Sequence, residues 1–291
     1  MPFKGLGVRI SPWAQIMKSI LAKQEDGTIQ LTITIPWRVV KKAKEEAVEA
    51  YLSSAQFPGF RKGKAPKKLV EKNINQDHLR EEVLRKLLPE GYVEALKEHG
   101  LKPILNPKIH VEKLEDDKDW TFAAFTAEAP EITLGNYKDA IKKATAKSKI
   151  IVPGKEQTEI NFEDITKALL ETAKIRIPKI IIDQEVDRLL AQTLDEVKRL
   201  GLTLDQYLAS TGRNTETLRQ EYEKKAENDI KLEFLLQKIA ESEKITVEDK
   251  EIDEAIIQAK TDAEKQNLQN NRYLLASIIR QQKTLDFLRS L

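Results

Sequence analysis

The stretch "TIQLTITIP" at Thr28–Pro36 decides how the first half of the chain folds. From Ile29 to Ile35 large apolar residues alternate with polar ones. This period-two pattern of β-forming residues predicts a strand that is buried on one face only. Pro36 ends the strand and suits the first turn of a helix, which the spacing of apolar residues predicts over residues 37–55.

The rest of the first half reads as helices followed by a hairpin. Pro66 begins a short helix, and a longer one is predicted over about residues 77–99, kinked at Pro89 and ended by Gly100. Two extended stretches flank the acidic turn Glu115–Asp119, a pattern that predicts a β-hairpin. Three strands would then form one small antiparallel sheet covered by helices.

The second half, from about residue 161, is nearly all helical in pattern. Apolar residues recur at helical spacing over 182–200, 218–239, 252–259 and 274–288. Narrow apolar stripes flanked by charges fit extended arms. A closed bundle would give the same periodicity, so both arrangements remain open on this evidence.

The predicted fold is an α+β amino-terminal domain with a small antiparallel sheet, followed by an all-α domain of long helices with arm-like extensions. The predicted boundaries are a loose extension over 1–16, the α+β domain over 17–134, a linker over 135–160 and the helical domain over 161–291. Met1 and Met17 remain alternative starting residues.

Composition excludes several classes of protein. The 291 residues contain no cysteine, which excludes disulfides, thiolate metal sites and cysteine nucleophiles. No apolar run is long enough to span a membrane, and the first residues do not resemble a signal peptide. Residues 1–150 hold 27 basic and 20 acidic residues, whereas the remainder holds 22 and 27. A basic front half suggests an anionic partner there. The lack of cysteine suits a cytoplasmic protein.

No pattern of catalytic or metal-binding residues is visible. His78, His99 and His110 lie in unrelated settings without metal-ligand spacing. Nucleophile elbows, phosphate-binding loops and dinucleotide fingerprints are missing as well. We therefore expect no catalytic residue, no metal and no cofactor.

The stretch "QFPGFRKGKAPKKL" at Gln56–Leu69 is the most unusual loop of the chain. It carries five basic residues, no acidic residue, and Phe57 and Phe60 among prolines and glycines. Such a stiff, basic, aromatic tip suits docking on an apolar pocket surrounded by acidic or phosphate groups. A solvated turn with both phenylalanines folded inward fits the composition equally well.

Within this loop, "GFRKGKAP" at Gly59–Pro66 resembles the Gly-Phe-Arg-x-Gly-x-x-Pro signature of bacterial trigger factors, the ribosome-associated chaperones. The segments "FTAEAPEITLGNYKDAIKK" at 125–143 and "IRIPKIIIDQEVDRLL" at 175–190 are similar to the same family. Most members carry an FKBP-type prolyl isomerase domain between the two parts. Residues 135–160 leave no room for it, so the resemblance does not imply isomerase activity or any enzyme.

The resemblance implies an ATP-independent chaperone that docks near the exit tunnel and holds nascent or unfolded polypeptides. Its partners would be a large-subunit protein, ribosomal RNA and client chains, with no membrane. A homodimer off the ribosome remains open. The implied docking tip is Phe60, Arg61 and Lys62, framed by Gly59, Gly63 and Pro66 and supplemented by Lys64, Lys67 and Lys68. Client contacts are expected around Leu189, Leu194, Ile256 and Leu275.

Two other classes of protein remain as alternatives. The basic front domain also fits an RNA-binding or ribosome-assembly factor that does not hold clients. A periplasmic chaperone with similar helical arms is a weaker alternative, because the chain has the ribosome motif and no visible signal peptide.

Overall fold

The computed structural model describes residues 17–54, 66, 74–146 and 162–291, which form two compact units divided between Ala129 and Pro130. The first unit contains β1 (Lys18–Lys23), β2 (Ile29–Ile35), α1 (Trp37–Ser54), α2 (Gln76–His99), β3 (Lys108–Lys113) and β4 (Trp120–Thr126).

The sheet of the first unit is antiparallel, with strand order β1-β2-β4-β3. The strand predicted around Leu31 and the hairpin predicted around residues 115–119 are both confirmed. The sequence did not predict β1, because Ile20 and Leu21 are adjacent and break the alternation that marks a strand. A tight turn, in which the Gln24 amide donates to the Thr28 carbonyl at 2.8 Å, pairs this edge strand with β2.

The core of the first unit lies between one face of the sheet and the two helices. Alternate residues of β2 and β4 point into it and are almost fully buried: Ile29, Leu31, Ile33, Ile35, Trp120 and Phe122. Gly91 lets α2 approach closely, since a Cβ there would lie 3.3 Å from Ile33 Cγ2. The predicted long helix is confirmed and ends at Gly100 with φ +64°. Pro89 lies inside it, and the kink at this residue remains a prediction.

The tip of the β3–β4 hairpin is fastened to α1. The Lys44 ammonium lies 5.0 Å from the Trp37 ring and 5.7 Å from the Trp120 ring, and it pairs with Asp116. Arg80 of α2 adds a second ion pair to Asp116 at 3.2 Å. The hydrogen bond from Lys44, together with Arg80, holds the pKa of the Asp116 carboxyl below its usual value.

The second unit contains two very short strands and eight helices among the residues that the structure describes. They are β5 (Ile132–Thr133), α3 (Tyr137–Thr145), α4 (Phe162–Thr172), β6 (Lys174–Ile175), α5 (Lys179–Arg199), α6 (Leu204–Thr211), α7 (Thr215–Ser242), α8 (Asp249–Ile257), α9 (Asp262–Asn270) and α10 (Arg272–Ser290).

The start of the predicted linker differs from the prediction, because α3 is a packed helix. Tyr137 and Ile141 lie one helical turn apart and are buried against Leu236 and Ile239 of α7. The Tyr137 hydroxyl also donates to Glu243 Oε1 at 2.7 Å. The polar composition of this short helix concealed its narrow apolar stripe. The remainder of the predicted linker, from residue 147, lies outside the described residues.

The helices of the second unit pack in groups along α7. The carboxyl-terminal part of α7 packs with α3, α4 and α10, while its middle packs with α5. A third cluster joins α8 and α10 through Ile252, Ile256 and Leu275. Among the described residues the second unit therefore has three separate hydrophobic clusters. Three clusters favour an arrangement in which groups of helices extend from α7, whereas a closed bundle would share one core.

Candidate functional site

The stretch predicted to form the docking loop lies between α1 and α2 in the sequence. Pro66 is the one predicted docking residue that the structure describes, and it is exposed. The other predicted docking residues lie outside the described residues: Gly59, Phe60, Arg61, Lys62, Gly63, Lys64, Lys67 and Lys68. Next to the loop, α2 begins in a well-defined way, because Asn75 Oδ1 accepts a hydrogen bond from the Asp77 amide at 2.9 Å. The docking function of the loop remains a prediction.

The four predicted client contacts do not form one surface. Leu189 and Leu194 lie on α5, where Leu189 is half-buried against α7 and Leu194 is exposed. Ile256 of α8 and Leu275 of α10 are only 8% and 9% exposed and pack into the same cluster. The structure therefore places Ile256 and Leu275 beneath a surface, and their role as client contacts remains untested.

Exposed apolar residues lie directly beside these buried ones. Ile257 follows Ile256 and is 72% exposed, while Leu274 precedes Leu275 and is 59% exposed. Ile278, next to half-buried Ile279, is 54% exposed. Successive residues point about 100° apart on a helix, so a narrow interface buries one member of an apolar pair and leaves the other outside. The doublets in the sequence were the signal from which these exposed residues could have been found.

The exposed residues of α10 form a ridge between two grooves. We call Tyr273, Leu274 and Ile278 the α10 ridge. One groove, of about 570 Å³, lies between α9 and α10, and Leu268 contributes to its wall. The other, of about 670 Å³, lies between the end of α7 and α10 and includes Val247. Both grooves mix apolar walls with polar side chains, which suits a polypeptide more than a compact apolar ligand.

Charged contacts hold α10 in place behind the ridge. The Lys283 ammonium donates to the Thr246 carbonyl at 2.8 Å and to both Glu251 carboxylate oxygens at 2.8 and 3.0 Å. The hydrogen bond from Lys283 lowers the pKa of the Glu251 carboxyl. Arg280 Nε donates to the Ile245 carbonyl at 3.0 Å. The ridge is therefore presented on a fixed helix.

The carboxyl-terminal end of α5 exposes a second apolar group. Leu200 is exposed at the helix end, and Leu202 is exposed beyond Gly201, whose φ is +71°. The Leu202 amide donates to the Val197 carbonyl at 3.1 Å, a hydrogen bond that closes the last turn. Together with Leu194, the one predicted client contact among them, these residues add apolar surface to the end of α5.

The described residues show no cluster suited to binding a metal ion. No group of three or more His, Asp or Glu residues among them could hold a metal ion. No helix among them is long and apolar enough to cross a membrane.

Two family models match the chain. The model described as "Bacterial trigger factor protein (TF)" matches residues 17–169. The model described as "Bacterial trigger factor protein (TF) C-terminus" matches residues 136–290. Because the two matches overlap, no part of the chain between them is left for a further domain of the size that an isomerase needs.

Known proteins of the same family are similar to this chain. The trigger factor of Macrococcus caseolyticus (strain JCSC5402) is 31% identical over 163 residues, which is 56% of this chain and 35% of that protein. The trigger factor of Staphylococcus aureus (strain JH9) is 31% identical over 153 residues, which is 53% of this chain and 33% of that protein. The matched stretches thus span about a third of the length of these curated relatives.

A solved structure shares the fold. It is described as "Promiscuous Substrate Recognition in Folding and Assembly Activities of the Trigger Factor Chaperone". The superposition includes 94% of this chain and 99% of the chain in the solved structure. The TM-score is 0.63 at 15% sequence identity. The family matches, which each cover more than half of the chain, and this shared fold lead to one conclusion: the chain belongs to the bacterial trigger factor family.

Proposed function

We propose that the protein is an ATP-independent chaperone that docks on the ribosome near the tunnel exit and holds nascent or unfolded polypeptides. The observation that carries the holding part of this proposal is the exposed α10 ridge between its two grooves. The solved structure with the same fold is described as a chaperone with promiscuous substrate recognition. A broad ridge of aliphatic and aromatic side chains suits such recognition, because it fixes no single sequence.

The energy available at the ridge favours weak, reversible holding. Full burial of a leucine or isoleucine contributes about 1.5–3 kcal/mol. Leu274 and Ile278 are 59% and 54% exposed, so covering them adds roughly half of that for each residue. Part of this gain offsets the cost of ordering the client. Release would then follow from weak contacts and need no nucleotide.

The holding activity can be tested without ribosomes. The intact protein should suppress aggregation of an unfolded client, and the double variant Leu274→Ser with Ile278→Ser should suppress it less. A matched control replaces Val93 and Ile104, two exposed aliphatic residues of the first unit, with serine. Full suppression by the α10 double variant would refute the proposed surface. No suppression by the intact protein would favour the alternative of an RNA-binding or ribosome-assembly factor.

Docking is proposed through the loop between α1 and α2. Phe60 would contact an apolar pocket of a large-subunit protein, while Arg61 and Lys62 pair with acidic groups or phosphates. Lys64, Lys67 and Lys68 would add contacts to ribosomal RNA. Replacing Phe60, Arg61 and Lys62 with alanine should abolish co-sedimentation with ribosomes. Undiminished co-sedimentation of this folded variant would disprove the docking.

We further propose that the protein lacks prolyl isomerase activity, is cytoplasmic, and has no cofactor. The overlap of the two family matches supports the first part, and the docking proposed above implies the second. Accelerated isomerisation of a proline-containing test peptide by the pure protein would overturn the first part. A homodimer off the ribosome remains open, and sedimentation equilibrium tests it.

A further inference from the structure

The outer face of the sheet, which points away from α1 and α2, has a distinctive chemistry. Strand register places twelve residues on it in three rows that cross β1, β2, β4 and β3. The rows are Lys18, Thr34, Thr121 and Lys113; Ile20, Thr32, Ala123 and His110; and Ala22, Gln30, Phe125 and Lys108. Both helices pack on the opposite face, so no element of the first unit among the described residues covers these rows.

The charged residues at the register positions of the outer face are all basic. Lysines lie at three of its four corners, and none of its twelve register positions carries a carboxylate. Lys18 and Lys108 are exposed and form no ion pair with a carboxylate in the described part of the chain. Lys113 interacts electrostatically with Glu115, and Glu112 lies in the bulge of β3 without a register partner. Lysines without a carboxylate partner, here Lys18 and Lys108, attract a polyanion.

An aromatic group lies between these lysines. Phe125 is half-buried on the central strand β4, and the His110 ring meets it edge-on, with centroids 6.3 Å apart and an interplanar angle of 86°. Ile20 is exposed on the far side of the same face. Threonine hydroxyls and the Gln30 amide supply hydrogen-bonding groups between them. Bases stack on such aromatic rings, while lysines contact the phosphates.

We propose that the outer face binds single-stranded RNA. Lys18, Lys108 and Lys113 would neutralise phosphates, and Phe125 with His110 would stack bases. Three strand spacings separate β1 from β3, about 14 Å in all, and sheets of this kind stack two or three bases. An unfolded polypeptide is the rival ligand, but it carries no regular array of negative charge to match the lysines.

The experiment must separate this face from the basic loop. We therefore start from a variant in which Arg61, Lys62, Lys64, Lys67 and Lys68 are all alanine. Binding of a labelled single-stranded oligoribonucleotide is followed by fluorescence anisotropy over a range of salt concentrations. Adding Lys18→Ala, Lys108→Ala and Lys113→Ala should reduce the slope of log affinity against log salt by about 2, since each phosphate contact to a single strand contributes about 0.7. The matched control changes three exposed lysines elsewhere in the first unit, Lys41, Lys97 and Lys102, and should leave the slope unchanged.

The stacking part of the proposal has its own variant. Phe125→Leu keeps an apolar side chain but removes the ring, and should weaken binding by about 5-fold to 150-fold, the range measured for loss of one stacked base. Far-UV circular dichroism confirms that the variant is folded. Equal affinity for duplex and single-stranded RNA, or unchanged affinity of the leucine variant, would overturn the stacking.

Three results would overturn the proposal as a whole. The first is that the loop-substituted variant does not bind RNA at all. The second is that the lysine triple variant and its control lose the same amount of RNA affinity. The third is that the lysine triple variant binds a permanently unfolded polypeptide less well but binds RNA as before. The client-holding assay of the α10 ridge uses neither RNA nor these residues, so its failure is distinguishable from failure here.

Discussion

Leu274 and Leu275 offer a sharp test of the α10 ridge, because two adjacent leucines have opposite exposures. Leu275 is 9% exposed and packs with Ile252 and Ile256. Leu→Ala in such a core costs about 2–5 kcal/mol, and the small size of this cluster favours the lower half of that range. Leu274 is 59% exposed, so the two-fifths of it that is buried contributes about 1 kcal/mol at most.

The two alanine variants should therefore separate stability from holding. In a domain of this size 1 kcal/mol shifts Tm by about 2–4 °C. Leu275→Ala should then lower Tm by about 4–14 °C, and Leu274→Ala by about 4 °C or less. Below its transition Leu275→Ala should still suppress client aggregation, whereas Leu274→Ala should suppress it less while remaining folded.

The assay can distinguish the two units of the chain. All three tryptophans, Trp13, Trp37 and Trp120, precede residue 130, so tryptophan fluorescence reports on the first unit. Far-UV circular dichroism reports mainly on the helices of the second unit. Leu275→Ala should shift the dichroism transition more than the fluorescence transition. Equal destabilisation by the two leucine variants, or full holding by Leu274→Ala, would refute the division into a ridge and a supporting core.

Three further changes test other parts of the structure. Gly135→Ala should cost more than Gly212→Ala in urea unfolding. Both glycines have positive φ, which costs about 1–2 kcal/mol for alanine, but only at Gly135 would the new Cβ lie 2.8 Å from a backbone carbonyl. Lys44 lowers the pKa of Asp116, so the resulting stability is present above the unfolded pKa of about 3.9 and is lost as pH falls through the lower folded pKa. Asp116→Asn should remove that acid-dependent contribution. Because the Asp116 carboxylate is half exposed, the contribution is below about 1 kcal/mol. Unfolding measured at pH values around and below the unfolded pKa tests this. Burial and a neighbouring carboxylate raise the pKa of Tyr137, so replacing it with Phe should remove one late-ionising tyrosine from an alkaline absorbance titration and cost about 1 kcal/mol.

The sequence predicted those elements well in which one regular face is buried, because such a face leaves a clear period in the sequence. The alternation around Leu31 and the long helix ending at Gly100 gave clear periods, and the structure confirms both. β1 was missed because an edge strand buries little and needs no strict alternation. The helix that begins at Tyr137 falls in the predicted linker. Its few apolar side chains are buried only by packing against α7, which is distant in sequence.

The candidate site shows a different limit of sequence reasoning. Helical periodicity identifies the apolar face of a helix, but the partner helix decides which residues near the edge of that face are covered. Ile256 and Leu275 were therefore selected, although their neighbours Ile257 and Leu274 are the exposed members of the doublets. When two adjacent aliphatic residues lie at a narrow helix interface, folding buries only one of them and leaves the other exposed. In a protein that holds other chains such excess is expected, and doublets on amphipathic helices are accordingly the positions at which contacts with clients should be tested first.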